Sequence, residues 1–540
     1  MKKLSSKNLI SKDLDHLGIV AGICNEIGLI RCIDQIIPPD IRTKITIGEC
    51  VQLMTINASG FVSRPMYLEA QFFNSKPIQR LIGRELHSEE ITDDRLGRSL
   101  DALYEADCEK VFASIAAKAI AHFHVDTQFR HLDTTSMSVH GEYEEGIGLI
   151  EFGYSKDHNP GLKQFMISLM TSQDGDVPLL AKTIAGNTSD KTHFQDTLKE
   201  LKNQWELANA PAYYVADSAL YTKETIQTIS KHMQWVSRVP ANIKEAKKFI
   251  NSYINSDMMP LENGYSYAEI ENNYGNVNQR WVLIFSEQAF KRENATLQKL
   301  IDRMEVSLNK KLKRLLAQEY SCEKDAQKEI KRFEMALKYH CCKDVKIEKH
   351  IKYCKRGRPK KGDAQETVYS LSCELVRDEQ KIDNILKSKG KFIVATNEMN
   401  KNRLSVSDIL KNYKNQQSVE RGFRFLKDPL FMTSSVFLKN EKRIVALGMI
   451  MCLCLLMYTL AQRLLRLQLE KHNATLPTQT GKESMKITIR WAFQMFEGVH
   501  ILYHVTPSKI EEFPLNINKV RSKILHLLGP PYQKIYDAVA

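Results

Sequence analysis

No charged side chain interrupts residues 444–462, and Arg443 and Arg463 close the run on either side. A helix that is apolar around its whole circumference has two stable environments, a bilayer or the interior of a large protein. The run just reaches the length of a membrane span. It holds Gly448, Cys452, Cys454, Tyr458 and Thr459, however, and it is the only such segment in the 540 residues. The expectation is a core helix wrapped by other elements, with no membrane association. A chain of this length has material for several domains and for a core large enough to enclose such a helix.

Lys and Arg number 77 against 64 Asp and Glu, a net charge of +13 with a pI near 9.0. That excess suits a polyanionic partner. The 11 cysteines are odd in number, scattered, and include the adjacent Cys341 and Cys342, so they form no disulfide framework. The opening MKKLSSKNLISKDLDHLGIV is basic but lacks the apolar run and cleavage site of a signal peptide. A cytoplasmic location is expected on both grounds.

Residues 1–125 read as a helical domain, with Thr92 as an N-cap and no zinc spacing or phosphate loop. From residue 126 the period changes. QFRHLDTTSMSVHG, LIEFGYSKDH, KQFMISLMTSQ and DVPLLAKTIAG are successive β-prone runs separated by turn residues. A helix capped by Asp190, a buried strand YYVA ending at Asp217, another helix and the strand QWVSRVP follow. This order predicts a mixed-sheet α/β core over 126–240. Residues 241–400 read as an insertion, part β and part a long helical hairpin with an apolar seam, whose default role is a spacer. Residues 401–470 return to the core, and 471–540 read as a helical tail.

Three acids stand out. Asp133 lies inside the first strand, where a buried carboxylate is costly unless a cation or hydrogen bonds compensate it. Asp217 ends a buried strand, the position at which α/β sheets place their ligands. Glu420 lies on a predicted helix over 405–427, in which Val419, Phe423 and Leu426 form a buried stripe. Tyr413, Gln416, Glu420, Arg424 and Lys427 form a second stripe beside it. Each acid also has a plain structural reading, as a turn residue, a helix cap or half of a surface ion pair. Asp157 and Asp190 read as a loop residue and an N-cap. Trp281 is the single Trp of the insertion and reads first as a core residue. KRGRPKKG, with Arg356, Arg358 and Lys360, fits either a solvated loop or a DNA minor groove.

Two or three carboxylates holding a pair of Mg²⁺ (or Mn²⁺) ions can activate a water or 3′-hydroxyl and stabilise the leaving oxygen of a phosphodiester. Cations beside them would hold the scissile strand. YKNQQSVERGFRFLK resembles the Y-x2-R-x3-E-x6-K signature of bacterial insertion-sequence DDE transposases, the cut-and-paste group numbered four. Tyr413, Glu420 and Lys427 match in register, and Gln416 replaces the usual Arg. HLDTTS, GNTSD and YYVADSALYTKE resemble further blocks of that family. The resemblance covers about 128–466 and implies a ribonuclease-H-like fold with a β-rich insertion. It implies Asp133, Asp217 and Glu420 as the metal-binding catalytic triad, and Tyr413 and Lys427 as phosphate contacts. It also implies Trp281 as a candidate for stacking on a flipped base, and a homodimer acting on paired ends of double-stranded DNA. Alternatives are a nuclease or resolvase without strand transfer, and an inert DNA-binding descendant.

Overall fold

In the computed structural model the charge-free run lies within one helix, Glu441–Lys471. The most apolar 18-residue window of this helix is 83 % buried by the rest of the fold. Its polar groups find partners inside: the Thr459 hydroxyl donates to the Leu455 carbonyl at 2.9 Å, and the Cys454 thiol lies 3.6 Å from the Thr55 carbonyl oxygen. The bounding arginines do not face a lipid headgroup region. Arg443 makes a two-pronged pair with Asp101 at 2.7 Å, and Arg463 bonds Asp174 at 2.5 Å and the Phe123 carbonyl at 2.8 Å. The helix is the core element that its composition called for.

The structure describes residues 9–60, 68–141, 143, 147–155, 159–189, 193, 197, 212–218, 220–353, 365–428, 440–507 and 509–537. It divides into two units, one of Met1–Ser237, Gly275–Val277 and Asn400–Ala540, the other of Arg238–Tyr274 and Asn278–Met399.

In the first unit, helices α1 (Leu17–Ile27), α2 (Leu29–Ile36), α3 (Ile47–Ala58), α4 (Asp93–Glu105) and α5 (Cys108–Phe123) come first. Thr46 and Glu49 form a reciprocal capping box on α3, and the Thr92 hydroxyl caps α4 by accepting from the Arg95 amide. Glycines let α1 be approached closely. A Cβ at Gly22 would sit 2.4 Å from the Tyr532 ring, so the C-terminal helix Pro530–Tyr536 docks directly on it. The tail is not simply helical. Strands His500–Val505 and Ile510–Leu515 pair antiparallel, and Leu9–Asp13 joins their edge as a third strand. Their alternation is short and half-exposed, which is why a helical expectation missed them.

Glu69 is 1 % exposed within the short helix Glu69–Asn74, and burial pushes its carboxyl up to about 8 against a hydrogen bond with Asn57. The folded chain therefore holds this proton from the ordinary value of 4.5 up to about 8, whereas the unfolded chain releases it. Its contribution is fully present below 4.5 and is lost as pH rises toward 8. Glu69→Gln is expected to flatten that slope and to raise stability at pH 8 by on the order of a few kcal/mol, read from urea midpoints at pH 5 and pH 8.

Next come strands β1 (Phe129–Ser138), β2 (Gln164–Ser172), β3 (Pro178–Ala185), β4 (Tyr213–Ala216) and β5 (Gln234–Arg238). Within this unit they lie in the order β3-β2-β1-β4-β5. β3, β2 and β1 pair antiparallel; β4 joins β1 in parallel and β5 follows in parallel. This three-stranded meander followed by parallel strands is the ribonuclease-H-like topology. Among its described residues, 149–155, the run LIEFGYSKDH forms no strand of its own and contributes an isolated bridge between Glu151 and Gln164. Here backbones touch: a Cβ at Gly186 would fall 1.9 Å from the Gln164 carbonyl oxygen, and one at Gly153 would fall 2.0 Å from the Gly186 carbonyl oxygen. Gly186→Ala is expected to cost about 1–3 kcal/mol, seen as a lower denaturation midpoint, because backbone cannot give way as a side-chain tip can. The predicted Asp190 cap, and Asp157, lie outside the described residues.

In the second unit, strands Met259–Leu261, Tyr265–Tyr274, Val277–Ser286 and Lys391–Thr396 lie side by side, with Val277–Ser286 between the last and Tyr265–Tyr274. A 30-residue helix, Glu287–Leu316, and a second, Glu323–Met335, follow in sequence as expected, but the apolar stripe of the first does not form a seam between them: Leu297 and Ile301 pack with Tyr339 and with Ile382 of the helix Glu379–Leu386, while Ala326 and Ile330 of the second pack with Tyr320 and Leu371. A long antiparallel pair, His340–Tyr353 with Gln365–Arg377, carries the short strand Glu319–Tyr320 on its other edge as a three-stranded sheet.

Candidate active site

β1 and β4 run parallel in a register that pairs Phe129 with Tyr213, Arg130 with Tyr214 and His131 with Val215. Two residues further along each chain stand Asp133 and Asp217. Period-two alternation puts Asp133 on the same face of β1 as His131, and Asp217 is the residue that follows the last of β4, the neighbouring strand. Asp133 is half-buried, and one carboxylate oxygen accepts from the Thr134 amide at 2.7 Å. Asp217 is exposed just past the end of β4, and its backbone is tied to β5 by the Ser237 hydroxyl donating to its carbonyl at 2.8 Å.

The predicted helix over 405–427 is two helices, α6 (Val406–Lys414) and α7 (Gln417–Leu426). Between them the Gln416 and Val419 amides bond the Tyr413 and Gln416 carbonyls, both at 3.2 Å and both across three residues instead of four. This tightening changes the helical phase, so Tyr413 and Gln416 do not share one uninterrupted face with Glu420. The apolar stripe behaves as expected: Val419, Phe423 and Leu426 are buried.

Gly422 lets α7 lie flat. A Cβ there would be 3.1 Å from Leu455 on the core helix and 3.5 Å from Leu169 on β2. Leu169 is the antiparallel partner of Asp133. Helix α7 therefore lies over the sheet face that carries Asp133, and Glu420 is exposed in its first turn, where the helix dipole favours a carboxylate. Among the described residues neither Glu420 nor Arg424 enters an ion pair, so the plain reading of a Glu–Arg pair is not met. Nor do the side chains converge fully as they stand. Among the described residues no three His, Cys, Asp or Glu groups lie close enough to hold a metal ion. The candidate donors are nevertheless all oxygen, an aspartate within β1, one just past the end of neighbouring β4 and a glutamate on the helix lying over β1, and that suits a hard divalent ion.

Two residues that sequence reasoning passed over belong to this face. His131 is fully buried, and burial, with Arg421 nearby, holds its imidazole down to about 4, so it stays neutral beside the aspartates. Arg421 pairs with Asp176 at 2.7 and 3.1 Å and pins α7 to the turn between β2 and β3. Its adjacency to Glu420 was the available signal.

The other expected contacts divide. Tyr413 and Lys427 are half-buried at the ends of α6 and α7, Gln416 caps α7, and Arg424 is exposed. Trp281 is fully buried in its strand, opposite Ala395, and its indole N–H donates to Gln279 at 3.1 Å. It is a satisfied core aromatic, and the expectation that it stacks on a base is not met: no face of the ring reaches solvent. Arg356, Arg358 and Lys360 lie outside the described residues.

A family model described as Transposase DDE domain matches residues 126–457, and one described as a domain of unknown function (DUF4277) matches residues 9–117. No curated protein matches. Among solved structures, a piggyBac transposase synaptic complex with hairpin DNA is similar over 89 % of this chain and 78 % of that one, at 9 % identity and a TM-score of 0.36. The DDE match spans more than half of the chain and contains both aspartate strands and the helix of Glu420, and on that ground the chain belongs to the DDE-domain transposases.

Proposed function

We propose that this transposase cleaves DNA at the ends of its element and joins the freed 3′-hydroxyl to a target, using Mg²⁺ (or Mn²⁺) held by Asp133, Asp217 and Glu420. The observation that carries the reading is the parallel pairing of β1 with β4, whose last partners, His131 and Val215, stand two residues before Asp133 and Asp217, with the helix of Glu420 lying over Asp133's partner Leu169. A pair of such ions, when bound, activates the attacking hydroxyl and stabilises the leaving oxygen. The chain's own residues do the rest. Asp133 is held within β1, and Asp217 follows directly on the end of β4 with its carbonyl accepting from the Ser237 hydroxyl, so both are anchored close to the backbone pairing of the sheet. Neutral His131 adds no cation to compete for their charge. Lys427, Arg424 and Tyr413 would hold phosphates of the bound strand, with Gln416 a weaker donor in place of the family's Arg.

The N-terminal helices would read the element ends, and the loop with Arg356, Arg358 and Lys360 would follow a groove. Two copies would hold paired ends, in the cytoplasm. The test supplies purified protein, Mg²⁺ and labelled duplex carrying the element's own terminal sequence, either intact or pre-cut to expose a 3′-hydroxyl. Joined product from the pre-cut end is expected. Cleavage without any joining would instead favour a nuclease, and neither product with Mg²⁺ or Mn²⁺ would favour an inert descendant.

A further inference from the structure

The helix Glu287–Leu316 buries one face, where Leu297 and Ile301 pack with Tyr339 and with Ile382 of the helix Glu379–Leu386, and leaves the other to solvent. Along the solvent side Arg292, Lys299, Arg303, Lys310 and Arg314 recur at spacings of seven and four residues, which keeps them on one stripe of an α-helix. All five are exposed. Thr296 and Ser307 fill the remaining turns of that stripe, so no acid interrupts it over roughly 33 Å of helix.

The helix does contain acids, but they are turned to its flanks and engaged elsewhere. Asp302 and Glu305 both bind Arg377 at 2.8 Å, Glu293 pairs with Lys389 at 3.6 Å, and Glu287 pairs with Lys291 at 2.7 Å. None of the five stripe cations forms an ion pair among the described residues. Lys299 with Arg303, and Lys310 with Arg314, are like-charge pairs one turn apart, an arrangement that destabilises an isolated helix. A surface that keeps such pairs uncompensated, with its carboxylates drawn aside, is built for an anion brought from outside.

We propose that this stripe is a sequence-independent contact for the phosphate backbone of duplex DNA, about one helical turn of it, making this helix a DNA-holding element and not a spacer. A linear polyanion matches a linear, evenly spaced row of cations. An acidic protein surface fits less well, because protein interfaces gain most of their affinity from apolar anchors at their centre, and here Leu300 and Val306 stand singly on either side of the stripe. The proposal rests on the transposase reading only for the source of the DNA.

Full-length protein would be titrated with a fluorescent duplex of unrelated sequence between 50 and 200 mM KCl (roughly the range over which counterion release is read). The variant is Arg303→Gln/Lys310→Gln/Arg314→Gln, whose exposed positions leave the core untouched. Its affinity is expected to fall at least about tenfold at the lower salt, with the slope of log K against log salt reduced by about 2–3. Lys324→Gln/Lys328→Gln/Lys331→Gln, an equal charge loss on the neighbouring helix, should keep the wild-type slope. An unchanged slope in the first variant, or an equal loss in both, overturns the proposal; the first result would leave the stripe to an acidic protein or to solvent alone. Asp133→Asn separates the two readings. It should bind this duplex as wild type while losing cleavage, so a protein that binds through the stripe but never cuts refutes the enzymatic reading alone.

Discussion

Asp133→Asn is expected to lower Mg²⁺-dependent DNA cleavage by at least about 10³-fold while leaving the folded state and DNA binding intact. The amide keeps the size of the carboxylate and an acceptor for the Thr134 amide, which the native side chain engages at 2.7 Å. What it loses is the charge that a divalent ion requires. Asp217→Asn and Glu420→Gln should fall into the same class, and the three effects should not add, because each removes a ligand from one shared site. The measurement is single-turnover cleavage of an end-bearing duplex alongside a binding titration. A variant that cuts within tenfold of wild type (about 1.4 kcal/mol of barrier) would remove that residue from the site. Because Glu420 is carried on α7 and not on the sheet, its replacement is also the direct test of whether that helix delivers a ligand when DNA and metal are present.

Leu455→Ala is expected to cost roughly 2–5 kcal/mol of stability and to reduce cleavage even below the new unfolding transition. Leu455 is 1 % exposed on the core helix and is the side chain that α7 rests on at Gly422. Truncating it opens a cavity beneath the helix that bears Glu420, so packing and chemistry should both suffer. Leu455→Met, which conserves volume, should stay within about 1.5 kcal/mol of wild type and keep most of the activity. Urea denaturation and single-turnover cleavage on the same preparations separate the two effects. An unchanged midpoint for Leu455→Ala would contradict the buried setting of the whole helix.

Each acid of the candidate site could be picked out before any coordinates. Asp133 and Asp217 stood out because acids within or at the end of apolar strand runs need a reason, and the helix of Glu420 declared itself by an apolar stripe at helical period. Trp281 could not be resolved that way, since an aromatic in a β-rich segment has the same local pattern whether it lines a core or a binding face. The break between α6 and α7 was equally invisible. Asn415 and Gln416 keep helical dihedrals there, and only the hydrogen-bond spacing changes. His131 and Arg421 were passed over because their roles depend on which elements cover them.

Composition and periodicity by themselves determined that residues 444–462 would be a buried core helix, that strands would begin near residue 126, and that a long helix of the insertion would bury one apolar stripe. These follow from local rules: side-chain period, and the cost of leaving apolar surface in water. Tertiary structure alone decided that the strand of Asp133 and the strand that ends before Asp217 are parallel neighbours, that Gly422 brings α7 down onto Leu169, and that the carboxylates of Glu287–Leu316 turn aside to leave a bare cationic stripe. Strand register and helix docking depend on contacts between residues tens to hundreds of positions apart, and no local pattern encodes those distances.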